Sequence, residues 1–275
     1  MTVALDTTSA FGTRKAQWHE RAVWAASDWS ALPASLRRRL RKRFARPVEG
    51  PFDVKQDGMK LRLYPAENHC DRVIFGRRRL PERAEHEALL PYLSNGMTFV
   101  DVGGNVGSYS CYVGTRAKAA RIVAFEPHPR TVEKLRFNLA ANGLQTDDVV
   151  NCALGEREET LQLWSDGGSN IGHTSLLPEG TANAKVSVDV PVRVLPQVLA
   201  ERGVVRVDML KIDIEGFEDR ALAPLLEANE ALWPKVVLIE TAHQHLWERD
   251  VLAMLRDRGY EVRFETGENM LVVRS

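Results

Sequence analysis

A short apolar run ends in Phe99-Val100-Asp101-Val102-Gly103-Gly104-Asn105-Val106-Gly107, and a second ends in Ala124-Phe125-Glu126-Pro127. This order specifies a strand, a tight loop, a helix and a second strand parallel to the first, shaped to hold a nucleotide-like ligand. Without Cβ atoms, Gly103, Gly104 and Gly107 let the loop backbone approach a ligand closely. Glu126 follows Gly107 by 19 residues, near the ~20-residue spacing at which an acid meets ribose hydroxyls.

The glycines do not fit the dinucleotide pattern G-x-G-x-x-G. Asp101 beside the loop would repel a pyrophosphate and attract an ammonium group. S-adenosylmethionine (SAM) has the complementary parts: ribose hydroxyls for Glu126, and an amino acid and a sulfonium for the acidic loop. The competing reading is an ordinary strand-to-helix turn whose glycines relieve crowding. The position of Glu126 favours the ligand site.

With 275 residues, 44% of them hydrophobic, the chain can bury one sizeable core and an appendage. It contains no run of 18 apolar residues, and its amino terminus lacks the order of a secretory signal. Cys70, Cys111 and Cys152 are odd in number and widely spaced, which points to a reducing, cytoplasmic setting rather than disulfides or zinc. The net charge is zero but unevenly spread. Residues 1–46 hold ten Lys/Arg against three acids, leaving 27 bases against 34 acids elsewhere. Within 32–46, Leu32, Leu36, Leu40 and Phe44 recur every four residues among arginines, after Trp18, Trp24 and Trp29. One reading is a peripheral contact with an anionic inner-membrane surface or an anionic glycan. The other packs the apolar stripe on the domain or on a second subunit, giving a homo-oligomer.

The pattern along the chain predicts a basic helical extension over 1–50, then a hairpin at 52–64 and a lead-in helix at 81–93 within 51–93, then a main domain over 94–275. In that domain, strands at Thr98–Val102, Arg121–Phe125, 149–153, 207–212 and Val236–Glu240 alternate with helices at 107–118, 130–142, 195–202, from Glu218, and near 248–258. A β-rich insertion covers about 155–195, with strands at 160–164 and 185–194 around a Gly/Ser-rich loop at 166–175. That loop reads as a lid over the acceptor, with His173 an outside candidate for a base; a flexible hairpin connection is the plainer alternative. A closing hairpin, with strands at Tyr260–Glu265 and 270–273, makes the last strand antiparallel. The fold class is therefore α/β: a doubly wound, mostly parallel, Rossmann-like sheet.

Ligands of such sheets sit beyond the carboxyl ends of the strands. The chain places Asp101, Glu126, Asn151 and Ala153, Asp213 with Glu215, and Glu240 with His243 at that edge. So many acids at one edge call for a cationic ligand or a metal. Asp101-Val102-Gly103-Gly104-Asn105-Val106-Gly107, the Ala124–Pro129 segment, Asn138 with Asn142-Gly143, and Lys211-Ile212-Asp213-Ile214-Glu215-Gly216-Phe217-Glu218 together resemble the FkbM-type family of SAM-dependent methyltransferases. The resemblance covers roughly 71–275. Gly104 departs from it, since a small residue such as alanine is expected there. It implies a class I methyltransferase fold and, usually, O-methylation of sugar or secondary-metabolite hydroxyls.

The residues themselves suggest matching roles. Asp101, Gly103, Gly104, Asn105 and Gly107 would hold the amino-acid end of SAM, and Glu126 its ribose. Asn151 and Ala153 would meet the adenine, although Asn151 serves equally well as a local cap. Asp213 would face the transferred methyl, while Glu218 reads as a helix-start acid. His243, His245, Asp213 and Glu240 are candidates for the base that removes a hydroxyl proton. Alternatively Asp213, Glu215 and Glu240 would hold Mg²⁺, the less favoured option. The expected activity is SAM-dependent O-methylation of a hydroxyl on a sugar, glycolipid, polysaccharide or secondary metabolite. A nucleotide- or SAM-sensing module with a basic recruiting arm is the alternative, followed by a nicotinamide oxidoreductase. A nucleic-acid partner is disfavoured, because no stacking platform accompanies residues 37–46 beyond the tryptophans.

Overall fold

The computed structural model describes residues 3–29, 31–45, 48–118, 120–165, 174–181 and 184–274. Helices α1 (Trp18–Ser27) and α2 (Ala34–Leu40) come first; α2 continues into a π-helical turn at Arg41–Ala45. The hairpin β1 (Phe52–Gln56) and β2 (Met59–Leu63) follows where expected, in register from Phe52↔Leu63 to Gln56↔Met59. The lead-in helix expected at 81–93 is present as α4 (Arg83–Leu89) continued by a 3-10 turn at Leu90–Tyr92, and an unanticipated helix, α3 (His69–Arg77), precedes it. Asn68 caps α3 by accepting the Asp71 N–H at 3.3 Å.

The main domain runs β3 (Thr98–Val102), α5 (Ser108–Arg116), β4 (Arg121–Phe125), α6 (Pro129–Ala141), β5 (Val149–Val150), β6 (Ala153–Leu154), β7 (Glu159–Ser165), β8 (Val186–Arg193) and α7 (Leu195–Glu201). It ends with β9 (Met209–Ile212), α8 (Glu218–Glu227), β10 (Val236–Glu240), α9 (Val251–Asp257), β11 (Tyr260–Glu265) and β12 (Asn269–Arg274). Among the described residues, seven strands form one sheet in the order β11-β12-β10-β9-β3-β4-β5. β12 lies antiparallel between β10 and β11, and the inner pairs are parallel, so the doubly wound α/β architecture is present.

The predicted strand at 149–153 is divided. Val149–Val150 pairs with β4, whereas Ala153–Leu154 joins β8 in a separate three-stranded sheet with β7. Asn151 makes the turn, its Nδ2 donating to the carbonyls of Glu126 (2.8 Å) and Pro127 (2.9 Å). The loop expected to act as a lid, including His173, falls at 166–173 outside the described residues; Thr174 and Ser175 are inside them.

Alternation along the strands gives the sheet two buried faces. Val100, Val102, Leu210 and Ile212 pack with residues of α7, α8 and α9 on one face. Phe99 and Met209 face the other way, into a core shared with α5, α6, the β1–β2 hairpin and Trp24 of α1. Among the described residues before the main domain, α1, the β1–β2 hairpin, α3 and α4 thus contribute to the core on the sheet rather than standing apart from it. Among the described residues, no helix is long and apolar enough to cross a membrane.

Candidate active site

A cavity of about 560 Å³ lies beyond the carboxyl ends of β3, β4, β9 and β10. Gly103, Asn105, Glu126, Ala153, Asp213, Glu215, Glu240 and His243 line its sheet side. Residues 68–83 form the opposite wall, with Asn68 and Cys70 on α3 and Glu82 before α4. The Asn68 side chain ties the two walls together by donating to Asn105 Oδ1 at 2.7 Å.

The glycine loop follows β3 as expected, but its glycines serve the packing of neighbouring elements as well as the cavity. Gly103 has φ +75°, and a Cβ there would stand 2.0 Å from the Asp213 carbonyl oxygen. Its N–H and that of Gly104 both donate to the Phe125 carbonyl, at 3.0 and 2.9 Å. Gly107, with φ +87°, is pressed against Leu135 and is not part of the cavity lining. The expectation that all three glycines present themselves to a ligand is corrected accordingly.

Asn105 also takes a positive φ, +48°, which turns its N–H toward Glu126 Oε2 at 2.9 Å. The other oxygen, Oε1, accepts the His128 N–H at 2.9 Å. Two backbone donors therefore fix the Glu126 carboxylate at the cavity edge, and each oxygen keeps a lone pair for a further donor. Burial pushes the acid up to about 7, while these two N–H groups oppose the rise. Next to it, Phe125, Cys152, Ala153 and Leu154 make an apolar stretch of wall. Ala153 is where the sequence placed it. Asn151, as the turn residue described above, is outside the lining.

Asp101 also departs from expectation. It shares the face of Phe99, is fully buried, and accepts from Ser110 Oγ at 2.5 Å. It does not line the cavity. Its register partner on β9 is Lys211, whose ammonium lies 3.8 Å from Asp101 and 3.4 Å from Asp213 and donates to the Gly103 carbonyl at 2.9 Å. Burial alone would lower the Lys211 pKa, but Asp213 and Asp101 outweigh it and raise it. Lys211 thus links the acid under the loop to the acid in the cavity. The sequence reading gave it no role, although a lysine in an apolar strand beside Asp213 was the available signal. Glu82 was also missed. It accepts the Tyr109 hydroxyl at 2.8 Å, and burial together with Asp213 raises it to about 7.

At the other end of the cavity, Glu240 closes β10 and His243 follows on the next loop. His243 Nδ1 stands 3.1 Å from Glu240 Oε1 and 3.4 Å from Glu215 Oε2, and Glu240 Oε2 accepts the Glu215 N–H at 3.2 Å. Burial and Asp213 push Glu215 up to about 9, and the same influences with Glu215 added push Glu240 up to about 11. These carboxyls therefore hold protons near neutrality unless a positive charge joins them. Donor atoms of Glu215, Glu240 and His243 lie within 4.8 Å of one another, so His243 rather than Asp213 completes the converging set. His245 is outside the lining. Glu218 is structural, accepting from the N–H groups of Ile214 (2.8 Å) and Gly216 (3.0 Å) and from Trp247 Nε1 (2.8 Å).

This arrangement joins a fixed acid beside an apolar wall to a histidine backed by carboxyls in one cavity. The methyltransferase sdnD of Sordaria araneosa is 31% identical over 200 residues, covering 62% of this chain and 75% of that protein. The 31-O-demethyl-FK506 methyltransferase FkbM of Streptomyces tacrolimicus is 26% identical over 198 residues, with 62% and 75% covered. Among solved structures, the methyltransferase FkbM of Methylobacillus flagellatus KT matches 76% of this chain and 55% of its own, at 18% identity and a TM-score of 0.45. The methyltransferase FkbM domain model matches residues 101–262. That span takes in the glycine loop, Glu126, Lys211, Asp213, Glu240 and His243, while the wall at 68–83 precedes it. The sheet side of the cavity thus falls within one recognised domain, and the chain belongs to the FkbM family of methyltransferases.

Proposed function

We propose that the chain transfers a methyl group from SAM to a hydroxyl oxygen of a sugar, glycolipid, polysaccharide or secondary metabolite. The observation that carries this reading is a single cavity with the Glu126 cradle at one end and the His243–Glu240 pair at the other. The name of the Streptomyces relative, for action on 31-O-demethyl-FK506, supports an oxygen acceptor.

The residues present fit SAM. Glu126 offers two oxygens to a vicinal diol, the wall at Phe125, Cys152, Ala153 and Leu154 suits a purine, and Asp213 is a carboxylate for a cationic centre. Bound SAM supplies an electrophilic methyl group on a sulfonium, and alignment with an acceptor oxygen favours an in-line displacement. With the positive charge of bound SAM beside it, Glu240 would ionise and accept the Nδ1 proton of His243, leaving Nε2 to take the proton that the hydroxyl must lose.

Incubation with SAM and a panel of hydroxylated acceptors should release S-adenosylhomocysteine only when an acceptor is present. Calorimetric binding of NAD in preference to SAM would overturn the reading. Glu126→Ala should weaken SAM about 10- to 150-fold, the loss of roughly 1.5–3 kcal/mol from hydrogen bonds to a charged group. Because the ionised carboxylate is the better acceptor and its pKa is raised to about 7, SAM affinity of the unaltered protein should rise about tenfold between about pH 6 and about pH 8. The Glu126→Ala variant should lose that slope.

The convergence of Glu215, Glu240 and His243 favours one second reading, a divalent cation that acidifies the acceptor hydroxyl directly. A donor set of one imidazole and two carboxylates suits Mn²⁺ or Zn²⁺ better than Mg²⁺. Dialysis against a chelator decides between them. The histidine-base reading expects unchanged turnover, whereas loss restored by metal supports the cation.

A further inference from the structure

The helical unit before the hairpin leaves a distinctive surface uncovered. Trp18 is 80% exposed, Trp29 61%, Leu36 40% and Phe44 57%. Arg38, Arg39, Lys42 and Arg43 on the same unit are exposed with them. The stripe expected to pack on the domain is therefore only partly covered, since Leu36 and Phe44 face outward.

The unit is held firmly against the rest of the molecule. Trp24 is 1% exposed and its indole N–H donates to the Val48 carbonyl at 2.8 Å. Arg41 donates to the Ser27 carbonyl at 3.2 Å and sits 3.5 Å from Asp28. Arg77 of α3 pairs with Asp28 at 2.8 Å, so the unit stands behind the α3 wall of the cavity. Trp18 opens α1 and Trp29 lies just past its C-cap, both exposed, while Trp24 within the helix is turned into the core.

We propose that this face docks on an anionic lipid bilayer. The charge distribution favours an anionic partner, because residues 1–46 carry a surplus of seven positive charges and the remainder a deficit of seven. A second copy of the chain would cover Leu36 and Phe44 but bring like arginines together. A hydrated polyanion would neutralise the arginines but leave the leucine and phenyl groups in water. The bilayer interface supplies both counterparts: acidic headgroups for the cations, and an acyl boundary where indole, phenyl and leucine side chains are stable. Each cation near such a surface strengthens binding about fivefold.

Co-sedimentation of the full chain with phosphatidylcholine vesicles, with and without phosphatidylglycerol, tests this. Binding is expected only with phosphatidylglycerol, accompanied by a blue shift of tryptophan emission. It should fall sharply between about 0.1 M and about 1 M salt, where the screening length drops from about 10 Å to about 3 Å. Lys42→Gln with Arg43→Gln should weaken it about 25-fold, and Trp18→Ser with Trp29→Ser should abolish the blue shift. All four positions are exposed, so the thermal midpoints of the variants should match the parent and exclude misfolding. Equal binding to neutral vesicles, or none to acidic ones, overturns the proposal. So does a dimer that Phe44→Ser converts to monomer, or retention on heparin that Phe44→Ser leaves unchanged while vesicles fail to bind.

Discussion

Replacing His243 with alanine is expected to lower kcat about 10²- to 10⁴-fold, the range associated with loss of a positioned general base. Affinity for SAM should stay within about twofold, because His243 stands at the opposite end of the cavity from Glu126. Glu240→Gln should lower kcat less, since a glutamine carbonyl can still orient Nδ1 but leaves the developing imidazolium without a carboxylate. Single-turnover measurement of S-adenosylhomocysteine formation separates this chemical step from product release. Undiminished turnover in His243→Ala would remove the histidine from the mechanism and leave the fold and the cradle intact. A chelator-sensitive parent would instead assign the loss to a disrupted metal set.

The second large effect concerns stability. Lys211→Met should cost about 3–5 kcal/mol, because it leaves the buried Asp101 without its cation. That is a large share of the roughly 5–15 kcal/mol that typically holds a domain together. Asp101 is already raised by burial, with Lys211 opposing the rise; without the lysine it rises further. A carboxyl whose folded pKa lies above its unfolded one destabilises the fold progressively as pH climbs between the two values. The loss in Lys211→Met should therefore be greater at about pH 8 than at about pH 5. Urea midpoints measure it, and Asp101→Asn added to Lys211→Met should recover most of it. A Lys211→Met protein as stable as its parent at both pH values would show that the buried pair contributes little.

How legible the molecule was in its sequence depended on the range of the determining interactions. Arg121–Phe125 and Val236–Glu240 form strands at the expected bounds, because an unbroken apolar run stopped by an acid is a local signal. The segment at 149–153 misled because its break depends on Asn151 reaching two carbonyls of another loop. Helix α3 went unseen because Gly76 lies inside it and Arg78 ends it in a left-handed conformation where glycine would have marked the stop. Glu126, Glu240 and His243 line the cavity as the sequence led one to expect, because each sits at or just after the end of a strand. Lys211 was passed over because its meaning comes from Asp101, a neighbour only through strand register. Asp101 was misjudged because the alternation of β3 turns it toward α5 and Ser110 instead of outward.

The close fit of Gly103 against the Asp213 carbonyl also bears on how substrates come and go. With no room for even one added carbon between them, the glycine loop and the strand that carries Asp213 form a single rigid floor. The wall opposite is built differently, with the left-handed residues Arg78 and Glu82 bracketing a short connection between α3 and α4. A cross-link fastening that connection to the floor is therefore expected to slow the exchange of whatever lies inside, an effect that the off-rate of bound SAM would measure.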